Sequence, residues 1–180
     1  MLLNNLIYVI KAVTGVFAGF LLLRFWMQAQ RIRPPASMAQ AIFKLTDWLV
    51  HPIRRVIPGF AGYDWSTLIG ALFVALATAG FIVWLELPIF LVEQVFIVAG
   101  IIMAQWIIYE IMALLLLEVL FSWVNPNAPL APFVRALNEP LLSPVRKLIP
   151  PIGGLDFSPM IILILLPILL SFLPSSKFIL

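Results

Sequence analysis

Two short stretches carry most of the concentrated charge of this chain. Pro52-Ile53-Arg54-Arg55-Val56-Ile57-Pro58 is followed by Gly62, Asp64 and Ser66, and Pro144-Val145-Arg146-Lys147-Leu148-Ile149-Pro150 is followed by Gly154, Asp156 and Ser158. Their chemistry is electrostatic rather than catalytic. Arg54, Arg55, Arg146 and Lys147 can gather phosphates or the carboxylates of a partner, with Asp64 and Asp156 orienting some of them. A second reading is equally open. The cations can simply hold their loops on one side of a membrane and pair with the aspartates to brace a turn.

These elements must be positioned by a duplicated framework. Pro52 and Pro144 are 92 positions apart, and Arg54/Arg146, Ile57/Ile149, Pro58/Pro150, Gly62/Gly154, Asp64/Asp156 and Ser66/Ser158 match at the same shift. Such self-similarity marks an internal repeat. The expected division is 1–92 and 93–180, each half placing a basic, proline-bounded segment ahead of an apolar run.

The chain is 63% hydrophobic and 11% charged, with a mean hydropathy of +1.12. That composition belongs to an integral membrane protein. Spans are expected near Leu6–Gln28, Trp65–Leu87, Val95–Val124 and Ser158–Leu173, the last bent by Pro167. Ser66 and Ser158 read as helix N-caps, leaving Asp64 and Asp156 just outside. Lys11 interrupts the first apolar run and no basic leader precedes it, so no cleaved signal peptide is expected.

Arg31, Arg33, Lys44, Arg54 and Arg55 fall between spans one and two, and Arg135, Arg146 and Lys147 between spans three and four. The connection between spans two and three has Glu86 and Glu93 but no cation. The basic loops are therefore expected in the cytoplasm and both termini outside, with the two halves running parallel. Met38, Ile42, Leu45 and Leu49 share one helical face in the first loop, which reads as an amphipathic interfacial helix ending near Pro52. Ser37 and Gln40 resemble its capping box. A weaker second copy is expected over Pro129–Glu139. Prolines on both sides of each basic segment are expected to separate it from that helix.

Arg24, Glu110 and Glu118 are the polar residues expected at membrane depth. Arg24 and Glu118 should lie at similar depth and pair. Glu110 is expected to bond across helices, with an ion or proton path as the alternative. Gly70, Ala71, Ala75, Ala77, Ala79 and Gly80 suggest close helix packing in the second span. No cysteine and a single histidine, His51, leave no metal cluster, and no phosphate loop or hydrolase motif is present. No enzyme activity, cofactor or metal is expected.

The paired Pro-x-Arg-(Arg/Lys)-x-Ile-Pro segments with their trailing Gly and Asp, together with Leu21-Leu22-Leu23-Arg24-Phe25-Trp26-Met27-Gln28, resemble the signature of the YggT (YlmG) family. The likeness covers nearly the whole chain, and two copies are typical of proteobacterial members. His51 and Ser143 before the prolines, and Pro34-Pro35, are mild departures. The resemblance implies a non-enzymatic bacterial inner-membrane protein linked to osmotic stress, potassium homeostasis or cell division. Plastid relatives are linked to assembly of cytochrome and photosynthetic complexes. The expected role is that of an assembly or organising factor, with an ion or solute flux component as the alternative. Expected partners are anionic lipid headgroups and a cytoplasmic protein, with a second copy of the chain left open and nucleic acid excluded.

Overall fold

The computed structural model describes residues 2–149 and 156–174, so Pro150 and Gly154 lie outside the described residues. Six helices follow in order: α1 (Leu2–Ala29), α2 (Ala36–Val56), α3 (Trp65–Glu86), α4 (Val92–Val124), α5 (Ala131–Leu148) and α6 (Ser158–Ser171). Among the described residues there is no strand, only an isolated bridge between Phe60 and Tyr63.

Three helices, α1, α3 and α4, are long and apolar enough to cross a bilayer. The 33 residues of α4 reach about 50 Å, beyond what the hydrocarbon layer needs. By contrast the 14 residues of α6 reach only about 21 Å, so the fourth expected span is too short to cross alone. Pro159 opens that helix, Pro167 interrupts it, and Pro174 follows its end.

Helix α3 lies between α1 and α4, while α4 also carries α5 and α6. Small residues make the central contact possible. Ala71, Ala75 and Ala79 recur every fourth position and are fully buried, together with Ile82 and Val83. The expectation of close packing there holds. On α1, Gly15 and Gly19 receive α4 side chains. A Cβ at Gly15 would stand 2.9 Å from Trp106 Nε1, and one at Gly19 would stand 3.1 Å from Glu110 Oε2.

Helices α2 and α5 differ from the apolar rods. The first turns Ile42, Thr46 and Val50 inward and leaves Lys44, Trp48, His51 and Arg55 exposed. Both run through the prolines expected to end them: Pro52 lies inside α2, and Pro140 and Pro144 lie inside α5. The reason lies in where those prolines sit. Each removes a bond to the carbonyl four residues back, but Trp48, Pro52, Pro140 and Pro144 are all on exposed positions, where a freed carbonyl need not be buried. Continuation carries Arg54, Arg55, Arg146 and Lys147 into the last turns, where cations meet the negative end of the helix dipole.

Candidate functional site

The basic segments are parts of helix ends, and their arginines are already engaged. Beyond α2 the chain turns between Phe60 and Tyr63, with Ala61 at φ 57° and Gly62 at φ 83°. Two successive positive φ values characterise a tight hairpin turn, and Gly62 is the residue suited to one of them. Ser66 Oγ donates to Ile57 O at 2.7 Å and closes the loop. Ser66 is therefore a brace across the turn and not the N-cap of α3. That position belongs to Asp64, whose Oδ2 accepts from Thr67 Oγ1 at 2.7 Å. In the second half Ser158 is the first residue of α6, and its backbone N–H donates to Asp156 Oδ1 at 2.9 Å. Asp156 thus reaches an unpaired first-turn N–H of α6, whereas the Asp64 side chain binds the Thr67 hydroxyl and caps no backbone N–H of α3.

Arg54 donates to Asp64, and Arg146 donates through Nε to Asp156 Oδ2 at 2.7 Å. Burial by itself would push the Asp64 carboxyl up. The hydrogen bond from Thr67 and the Arg54 guanidinium outweigh it and hold Asp64 below the usual carboxylate range. Burial would likewise push Asp156 up, and the Ser158 N–H and Arg146 together outweigh it and hold the carboxyl low. Burial pulls Arg146 down, but its bonds to Asp156 and Glu139 carry it upward. All these groups stay ionised near neutral pH.

Sequence reasoning paired Arg24 with Glu118, and the structure separates them. Arg24, almost fully buried, donates to Thr46 Oγ1 at 2.6 Å and to Asp47 Oδ1 at 2.7 Å, with its guanidinium 4.7 Å from the Phe43 ring centre. Glu118 instead accepts from Arg146 Nη2 at 3.2 Å. Arg24 and Glu118 each face the polar helix of their own half, which offers a nearer partner. Thr46, Asp47, Asn138 and Glu139 were missed. They had a signal: Thr46/Asn138 and Asp47/Glu139 are polar pairs at the same 92-residue shift. Asn138 Nδ2 donates to Leu114 O at 2.9 Å and fastens α5 to α4, while Glu139 accepts from Arg146 of its own helix. Across the halves, Trp26 Nε1 donates to Leu137 O at 2.9 Å.

Arg55 and Lys147 remain on the outer side of these clusters, both exposed. Glu110 lines a cavity of about 660 Å³ between α1 and α4, with Tyr8, Lys11, Gln105 and Tyr109. A second cavity, about 680 Å³, opens beside the 60–63 turn and includes Arg31, Arg33 and Arg54.

The elements define an all-helical protein carrying apolar helices of the membrane-spanning type, fastened to two polar helices with basic ends. The chain belongs to the CCB3/YggT family, which it matches twice, over residues 3–85 and 96–176. The first match takes in α1 to α3 and the second α4 to α6. It is 33% identical over 165 residues to uncharacterized protein YggT of Escherichia coli (strain K12), covering 91% of this chain and 86% of that one. An uncharacterized Pseudomonas aeruginosa protein is 34% identical over 167 residues, covering 85% of this chain and 80% of the relative. A Haemophilus influenzae relative, also uncharacterized, is 28% identical over 166 residues, 91% of this chain and 88% of its own. No solved structure matches.

Proposed function

We propose that this chain is a non-enzymatic organising factor of the bacterial inner membrane, made of two tandem halves that each present an amphipathic interfacial helix to the cytoplasm. The excess of cations between spans one and two and between spans three and four supports that orientation. On this reading α6 belongs to the fourth span. The carrying observation is the division of labour within each basic pair. Arg54 and Arg146 are consumed by Asp64 and Asp156, whereas Arg55 and Lys147 are left to meet anionic lipid or a protein partner. Such a surface suits assembly of membrane complexes, division or the response to osmotic stress.

Photo-crosslinking from positions along α2 and α5 in native membranes tests it. A discrete adduct weakened by Arg55→Gln plus Lys147→Gln supports the role, and uniform lipid-only labelling at every position rejects it. The cavity holding Glu110 favours a second reading, passage of an ion or solute. Flux through liposomes containing the purified chain, abolished by Glu110→Gln, would establish that reading over the first.

A further inference from the structure

Helix α1 ends in an arrangement that glycine normally serves. Ile32 N–H donates to Met27 O at 2.9 Å and Arg31 N–H donates to Gln28 O at 3.0 Å, the two bonds of a Schellman cap. Met27 and Ile32 supply its apolar contact. The left-handed residue of this cap is Arg31, at φ 55°. A side chain there is unfavourable relative to glycine, so the position favours a small residue and yet carries the longest fork-shaped cation. Strain of this kind points toward a use for the side chain.

Its surroundings indicate the use. Arg31 Nη2 lies 3.8 Å from where a Cβ would stand at Gly62, so the guanidinium reaches across to the 60–63 turn. Arg33 and Arg54 line the same cavity of about 680 Å³. Among the described residues Asp64 is the one carboxylate lining it; Arg54 and Thr67 both bond its Oδ2, and its Oδ1 is buried without a partner. Among the described residues, Arg31 and Arg33 have no carboxylate within ion-pair distance. Gln28 also lines the cavity, its amide oxygen buried and without a partner. The site is confined to the first half: at the 97-residue shift that relates Trp26 to Trp123, residues 28, 31 and 33 become Asn125, Ala128 and Leu130.

We infer that Arg31, Arg33 and Gln28, together with the turn at Gly62, form a pocket for a single phosphate group, borne by a lipid headgroup or by a soluble phosphate. Planar guanidiniums bind phosphate through paired N–H donors, which a lone lysine cannot do. Gln28 can serve an ionised phosphate only through its amide N–H donors, with the amide turned so that its oxygen faces away from the group. Gly62, lacking a Cβ, leaves the pocket open beside Arg31. The lipid source rests on the proposed orientation toward the anionic inner leaflet; affinity for phosphate itself does not.

The test uses the full chain with Arg31→Gly, Arg33→Gln and both together, and Arg135→Gln as a control elsewhere on the basic side. Arg31→Gly supplies the residue the cap prefers, so it should fold at least as well as the parent. In nanodiscs of phosphatidylcholine doped with phosphatidylglycerol, co-purifying phosphatidylglycerol should fall about fivefold for each arginine removed, and stay unchanged in Arg135→Gln. In detergent, millimolar inorganic phosphate should raise the thermal aggregation midpoint of the parent if soluble phosphate fits. Loss of that protection in the double variant assigns a soluble source, and loss of lipid retention alone assigns the headgroup. If the folded double variant keeps both, or Arg135→Gln loses as much, the pocket is refuted. Partner crosslinking along α2 and α5 is a separate readout, so failure here leaves the organising role standing and the converse also holds.

Discussion

The two halves share one ion pair and distribute the rest of their charge differently. In each, an arginine in the last turn of the polar helix grips an aspartate ten positions later, Arg54 with Asp64 and Arg146 with Asp156. In the first half the load is divided: Arg24 serves Thr46 and Asp47, and Arg54 serves Asp64. In the second half Arg146 alone serves Glu118, Glu139 and Asp156. The long helix contributes a cation in the first half and a carboxylate in the second. Repetition has preserved the connection between helix end and turn, while the fastening between long and polar helices was built twice with opposite charge. One consequence is unequal vulnerability.

That inequality is sharpest for Arg146→Gln. It strands the buried Glu118 carboxylate and frees two more, and uncompensated burial of a charge costs about 3 kcal/mol. Arg54→Gln leaves Asp64 with Thr67, and the lost side chain was 39% exposed, so a loss of about 1 kcal/mol is expected. Denaturant midpoints in micelles measure both. Adding Glu118→Gln to Arg146→Gln should restore part of the stability. Equal losses for the two arginine variants would erase the proposed contrast.

Arg24→Gln stands between them, at about 2 kcal/mol, because the buried guanidinium bonds a hydroxyl and a carboxylate. Asp47 retains His51 Nε2 at 3.7 Å and is 35% exposed, which limits the damage. The same denaturation series ranks it, and an effect as large as that of Arg146→Gln would show that dividing the load brings no protection.

Acid probes the shared ion pair. Asp64 and Asp156 both titrate below the ordinary value of 3.8 when folded, so the folded chain binds fewer protons than the unfolded one. Their contribution is therefore complete above that value and disappears as pH falls through each folded pKa. Asp64 has an extra donor in Thr67, whereas the matching residue at the 92-residue shift is Pro159, which has none to offer. Thr67→Val should move the acid unfolding midpoint, followed by circular dichroism, toward higher pH. An unmoved midpoint would mean that Thr67 does not hold Asp64 ionised.

Much of this pattern was legible in the sequence, for identifiable reasons. The 92-residue shift exposed the Arg-Asp pairs because both ends are local to one turn. The small residues of α3 announced its packing because an apolar rod must bury some face, and Ala71, Ala75 and Ala79 permit the closest approach. Proline positions misled, since a proline's cost depends on whether the freed carbonyl is buried, and sequence does not say which side of α2 or α5 faces out. The partner of Arg24 was equally hidden. Depth along a span suggested Glu118, but rotation about the helix axis decides which neighbour a side chain meets, and that rotation is set by tertiary packing. Arg31 was counted only as a loop cation, because its backbone conformation depends on where α1 stops.

The smallest expected effect concerns the turn of the first half, set against the sequence of the second. Ala61 is held at φ 57° beside Gly62, while the residue matching it at the 92-residue shift is Gly153. A left-handed conformation costs an L-residue roughly 1 kcal/mol over glycine, and part of that is returned because glycine also gains freedom in the unfolded chain. Ala61→Gly, which copies the second half into the first, should therefore stabilise by only about 0.5 kcal/mol, or leave stability level. A bulky β-branched residue there, Ala61→Val, should destabilise by more than the glycine gains, since branching disfavours this region further. Paired midpoints for the two variants decide the matter. If valine is tolerated as well as glycine, Ala61 is not strained, and the first turn owes its shape to Ser66 and Trp65, which bond Ile57 O and Phe60 O across it.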